Sequence, residues 1–353
     1  MRRILVAFLL NTAIGPSQAL GQNEGSSSVT HGSFVDDAMA ALGFDERKRD
    51  SLLGGEVLFV GVPDIERQPN ELTVASVMLL VRRPLDSIDE VFLDEASFRV
   101  RDDILSFNYV GDGSESRKQR QGAFEGIEYS TQEQKEVEKL LRVKPGVEFN
   151  FSSEEIDRFH LPDSESATRE TASAIYRQVL LDRYLAYLDT GLKSLLPYER
   201  AKGKRSSPRR ELLIGLESLE LVEKHFPKFY RSLLEYPSQM AEGISSRYYW
   251  FKRVTNKRPT FVLAHRLDQM LSRSAIAAEL QFYVGHSYNS MLTLIGCATV
   301  EGGTLVFAVV RIYTDKVTGK GSSLKKKIGR RQMSNAIAEH FEALRTELER
   351  QGP

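Results

Sequence analysis

The sequence predicts an α+β protein: an antiparallel β-meander packed on a long C-terminal helix, with a mostly helical insertion in the middle. Three observations carry this. Residues 247–314 hold five strand-like runs separated by very short turns. Residues 166–196 repeat apolar side chains at helical spacing, and residues 322–350 form a long amphipathic run. A chain of 353 residues is long enough to bury a sizeable core.

Residues 1–21 have the form of a secretory signal peptide. Arg2 and Arg3 make a basic start, Ile4 to Leu10 is unbroken apolar, and Ala19 and Gly21 are the small residues a signal peptidase reads. The apolar run is far short of the roughly 20 residues a membrane span needs. Cleavage after Gly21 and a periplasmic or secreted location are therefore expected. Gln22 stands where a lipoprotein has Cys, which argues against a lipid anchor. Residues 22–32 read as a flexible leader, and 33–353 as a single α+β domain with its helical insertion at about 150–240.

Residues 33–44 read as a short helix with Ser33 as cap and Gly43 as stop. Runs 56–62 and 71–81 are strand-like. Pro84 then opens a helix over 85–94 with Leu85, Ile88, Val91 and Phe92 on one side. Residues 97–110 hold one or two more strands. The polar stretch 111–146 reads as an exposed loop with a short helix at 131–142. Ser152 and Glu155 have capping-box spacing. The long helix over 166–196 is ended by Pro197, the basic segment 200–210 reads as a solvated loop, and helices follow over 211–225 and 227–236.

In the meander, period-two alternation sorts the side chains by face. Phe261, Leu263, His265 and Leu267 oppose Val262, Ala264, Arg266 and Asp268. Leu305, Phe307, Val309, Arg311 and Tyr313 oppose Val306, Ala308, Val310 and Ile312. The last two strands are apolar on both faces, so central positions are expected for them.

A strand, a proline and a helix in Val77–Asp94, and a meander followed by a long C-terminal helix, resemble the START-like (helix-grip, polyketide-cyclase-like) superfamily. The likeness spans 57–110 and 247–350. The helical block at 150–240 departs from the short connections usual there. The resemblance implies a hydrophobic small molecule or lipid held between sheet and C-terminal helix. His265, Arg311, Tyr313 and Trp250 are the ligand-binding candidates, since polar groups among apolar neighbours orient an amphipathic ligand. The plainer readings are a core histidine for His265 and a carboxylate partner, such as Asp315, for Arg311. Lys320, Lys325, Lys326, Lys327, Arg330 and Arg331 form a basic run, read either as a solvated helix start or as a contact with an anionic membrane surface.

Other classes find little support. Basic and acidic residues balance at 48 each, which argues against a nucleic-acid binder working by bulk charge. One Cys excludes a disulfide framework within the chain, and Cys297 sits mid-strand among apolar neighbours. The His residues show no metal-ligand spacing, so neither metal nor cofactor is expected. Gly285-His286-Ser287-Tyr288-Asn289 lacks the last Gly of a nucleophile elbow and joins two strands rather than strand and helix. The sequence therefore leans away from an enzyme. The alternatives are a structural or partner-binding periplasmic protein docking through the helical insertion and, after it, an enzyme with a START-like cavity. No signal for oligomeric state is present.

Overall fold

The computed structural model describes residues 31–41, 44–60, 69–92, 103–161, 167–318 and 321–350. The signal and leader segments up to residue 30 lie outside the described residues. So do Lys320 and the side chain of Arg331.

The described elements begin with helices α1 (His31–Ala41) and α2 (Glu46–Leu53), then strands β1 (Leu58–Val60) and β2 (Glu71–Val81). Helix α3 (Leu85–Phe92) and strand β3 (Ile104–Gly111) follow. Next come helices α4 (Arg117–Ala123), α5 (Gln134–Leu140), α6 (Ser153–Arg158) and α7 (Arg169–Thr190), and the small hairpin β4 (Tyr198–Glu199) with β5 (Arg205–Ser206). Helices α8 (Pro208–Glu217), α9 (Glu220–His225) and α10 (Pro227–Glu235) complete the helical block. The meander is β6 (Ile244–Thr255), β7 (Arg258–Met270), β8 (Ser274–Val284), β9 (Ser290–Val300) and β10 (Gly303–Tyr313), with helix α11 (Ser322–Arg350) after it.

Seven strands of eight or more residues, with three-residue β1 at one edge, form one antiparallel sheet in the order β1-β2-β10-β9-β8-β7-β6-β3. Strands β9 and β10 are central, as their two apolar faces require. Strand β2 pairs with β10 across the length of the chain, with Met78 opposite Phe307. On the first face, Trp250, Phe261, Leu263, Ile276, Leu280, Leu294 and Phe307 join the large core with α1 and the helices of 117–236. On the second, Phe251, Val262, Ala264, Ala277, Cys297, Val306 and Ala308 join a smaller core with α3.

Several expectations need correction. Residues 111–146 are not an exposed loop: Phe124, Ile127, Tyr129, Val137 and Leu140 are fully buried in the larger core. Their apolar side chains are spread among many charged ones, which hid the pattern. Helix α7 ends at Gly191, whose φ of 58° suits a residue without Cβ, not at Pro197. The helix expected over 211–225 is two, broken at Ser218–Leu219. The basic segment 200–210 is a hairpin and a helix start, and its Arg200 is buried.

Candidate functional site

Side chains two apart on a strand share a face, so Ser246, Tyr248 and Trp250 all point from β6 toward the helical block. Tyr248 pairs in register with His265 of β7, and their rings stack at 4.4 Å and 12°. Helix α7 lowers Tyr187 onto the same spot, stacked on Phe282 at 4.0 Å. The end of α10 brings Tyr236 to 4.5 Å from the imidazole. His265 is thus enclosed by Tyr187, Tyr236 and Tyr248 and has no exposed surface.

Both its ring nitrogens are used. Tyr187 Oη lies 3.0 Å from Nδ1, and Ser246 Oγ lies 2.9 Å from Nε2. In either tautomer one nitrogen donates and the other accepts, so a neutral ring fits both partners. Burial pushes the imidazole down to about 3 from an ordinary 6.5. Burial also holds the Tyr187 hydroxyl well above its usual range.

Ser246 is the outer end of this relay. It lines a cleft of about 440 Å³ with Asp112, Arg120, Leu188, Tyr236 and Met240. That volume falls within the roughly 300–1,000 Å³ of small-molecule sites. Gly113, at φ 100°, brings the backbone to the rim, where a Cβ would stand 3.0 Å from Leu188. Arg120 donates from Nη2 to the Gly113 carbonyl at 2.7 Å, while its buried Nε has no partner. Hydrogen bonds from the Ser114 side chain and backbone hold Asp112 below its usual range. The cleft therefore offers apolar side chains, a guanidinium, the carboxylates of Asp112 and Asp189, and a hydroxyl.

The sequence-predicted residues fall as follows. His265 lies beneath the cleft, on the first sheet face and against the helical block, not beneath the C-terminal helix; the helices of 117–236 cover that face. Arg311, on the same side, donates from Nη1 to Glu71 Oε1 at 2.9 Å, with both side chains buried. Its partner is Glu71 of β2, not Asp315. Tyr313 is fully buried beside Gly215 of α8. Trp250 donates to the Ala123 carbonyl at 2.8 Å. Arg311, Tyr313 and Trp250 do not line the cleft, so the structure brings the four candidates to no common site. Of the basic run, Lys325 and Lys327 are exposed, and Lys326 and Arg330 are half-buried.

A second polar cluster closes the end of the sheet at the β8–β9 turn. Arg200 donates to Asp315 at 2.8 Å, to Asn150 at 2.8 Å and to Asn289 at 3.0 Å. Glu211 accepts from Asn70 at 2.6 Å, Asn289 at 2.7 Å and Ser290 at 2.8 Å. Burial nevertheless raises the Glu211 carboxyl to about 7, outweighing these hydrogen bonds. Burial acts the same way on Asp315, but Ser206 and Arg200 bind its carboxylate and its pKa is lowered. In the turn, Ser287 (φ 77°) places Oγ 2.7 Å from Nδ1 of His286, whose pKa burial drives down to about 3.

Sequence reading missed Tyr236 and Ser246 at the cleft, Tyr187 and Tyr248 beneath it, and Arg200 and Glu211 in the cluster. The alternation of Ser246, Tyr248 and Trp250 was the available signal; nothing local marks Arg200 as buried. Among the described residues no group of His, Cys, Asp and Glu could hold a metal ion. No family model, curated protein or solved structure matches the chain.

Proposed function

We propose that this chain is an exported binding protein for a small hydrophobic or amphipathic molecule, and that the cleft over Ser246 is its site. The observation that carries the reading is the cleft itself, where the apolar side chains of Leu185, Leu188 and Met240 stand beside Arg120, Asp112, Asp189 and Ser246. Binding is favoured over catalysis by the state of His265. A serine hydrogen-bonded to histidine has the geometry of a nucleophile and its base. Protonating this imidazole, however, costs about 5 kcal/mol more than in water, the equivalent of its shift from 6.5 to about 3. No carboxylate touches the ring to offset that. The relay fixes the Ser246 hydroxyl as an orienting group.

The START-like reading stays part of the proposal. Helix α11 lies on the second sheet face, with Phe341 in the smaller core and Arg345 donating to the Gly55 carbonyl at 2.7 Å. A second reading keeps the ligand there, between sheet and helix, supported by the small side chains of Ala264, Ala275, Ala277 and Ala308 on that face. Helices α7 to α10 carry none of the exposed large apolar side chains among the described residues, which favours the cleft over the partner-docking alternative.

The test is binding of an anionic naphthalene dye to the purified chain, followed by fluorescence, with Leu188→Trp to fill the cleft and Ala277→Leu to fill the other face. The cleft reading expects Leu188→Trp to weaken the dye at least about tenfold, the loss of roughly 1.4 kcal/mol. Unchanged affinity in Leu188→Trp refutes it, and loss in Ala277→Leu alone moves the site beneath α11.

A further inference from the structure

We propose that the first two turns of α11 are a docking surface for an anionic lipid membrane, with Leu324 and Ile328 entering the headgroup layer. The inference is independent of the cleft. Leu324 is 64% exposed and Ile328 49% exposed, the former more than any other large apolar side chain among the described residues. On a helix that advances about 100° per residue, side chains four apart lie about 40° from each other. The two therefore form one apolar spot. Lys325 and Lys327 are exposed and fall on either side of it. Lys326 and Arg330 turn the other way and line a cavity of about 330 Å³ with Pro69, Thr318, Ser322 and Ser323.

Within the fold, Lys325 makes only a long hydrogen bond to the Thr318 carbonyl, at 3.4 Å. Cations in a first turn oppose the macrodipole, and Leu324 and Ile328 leave about half or more of their apolar surface in water. No Asp or Glu occurs in residues 316–338 to balance the charge within the segment. A membrane surface resolves both features at once. Apolar side chains reach the acyl boundary, while lysine stems lie along it and set their ammonium groups at the phosphate level. A soluble polyanion would use the lysines and leave Leu324 and Ile328 idle. Contact is peripheral, since no helix among the described residues is long and apolar enough to cross a membrane.

The experiment is co-sedimentation of the full chain with vesicles of equal parts phosphatidylcholine and phosphatidylglycerol, and with phosphatidylcholine alone. Binding is expected on the anionic vesicles only, falling as salt rises. Lys325→Gln with Lys327→Gln should weaken it about 25-fold, from about fivefold per lysine. Leu324→Ser with Ile328→Ser should weaken it at least about tenfold. Both pairs are exposed, and unchanged thermal melting confirms that the variants fold. Comparing variants in one background removes any contribution of residues 1–21. Equal binding to neutral vesicles, or full binding by the Leu324/Ile328 variant, overturns the proposal. So does retention on heparin with no vesicle binding, the signature of a polyanion site.

Discussion

Replacing His265 by Phe should flatten the acid limb of the stability curve. In the folded chain His265 titrates at about 3, against 6.5 for an ordinary histidine. Between those values the unfolded chain binds a proton that the folded chain refuses. Stability therefore rises with pH across this window, is complete above about 6.5, and is lost as pH falls below it. From pH 7.5 to 5.0 the expected loss from His265 is about 2 kcal/mol, of about 5 kcal/mol for the full shift. His286, held near 3 mainly by burial and secondarily by Arg258, adds a similar loss. Phe keeps the ring against Tyr248 and cannot titrate. It leaves the Ser246 and Tyr187 hydroxyls without the imidazole, so the variant starts lower by about 1–3 kcal/mol. The assay is urea unfolding at both pH values, and the quantity compared is the drop between them. The drop in His265→Phe should be smaller than in the parent by about 2 kcal/mol. Equal drops would mean that the buried imidazole accepts a proton as readily as a free one, and the neutral-relay argument would fail with it.

Two further outcomes are expected. Glu211 is the opposite case: an acid whose folded value, about 7, lies above its ordinary 4.5, so stability falls as pH rises from 4.5 to 7. Glu211→Gln should remove that fall, worth about 3 kcal/mol, and gain on the parent at pH 8 relative to pH 5 in urea midpoints; a constant difference refutes the assignment. A Cβ on Gly296 would stand 2.1 Å from the Phe307 ring directly across the ladder. Gly296→Ala should cost about 1–3 kcal/mol, partly restored by Phe307→Leu, as read by thermal melting; no loss in the single variant contradicts the packing.

Much of the fold was legible because strands carry a local signature. Alternation alone sorted Phe261, Leu263 and Leu267 from Val262 and Ala264, and the two-sided apolarity of 290–314 marked the middle of the sheet. What was not legible depends on distance along the chain. Nothing near Arg311 points to Glu71, and nothing in the basic run 200–210 shows that Arg200 crosses to Asp315. A cluster of cations reads as solvated until its partners are known. The histidine was noticed but set beneath the wrong cover, because alternation tells which residues share a face and not which helix lies over it. The cleft residues come from four separate segments, so only the folded chain assembles them.

The pairing of β2 with β10 also fixes an order of assembly. Strands β6 to β10 follow one another with tight turns, and each neighbour is available as soon as it is made. Strand β2 (ELTVASVMLLV) must wait for Gly303–Tyr313 before it has a long partner, with only Leu58–Val60 beside it until then. During synthesis it is an apolar strand with an open edge, the kind of segment that pairs with other chains. The risk of aggregation is therefore concentrated near the beginning of the fold and is relieved only by its last strand.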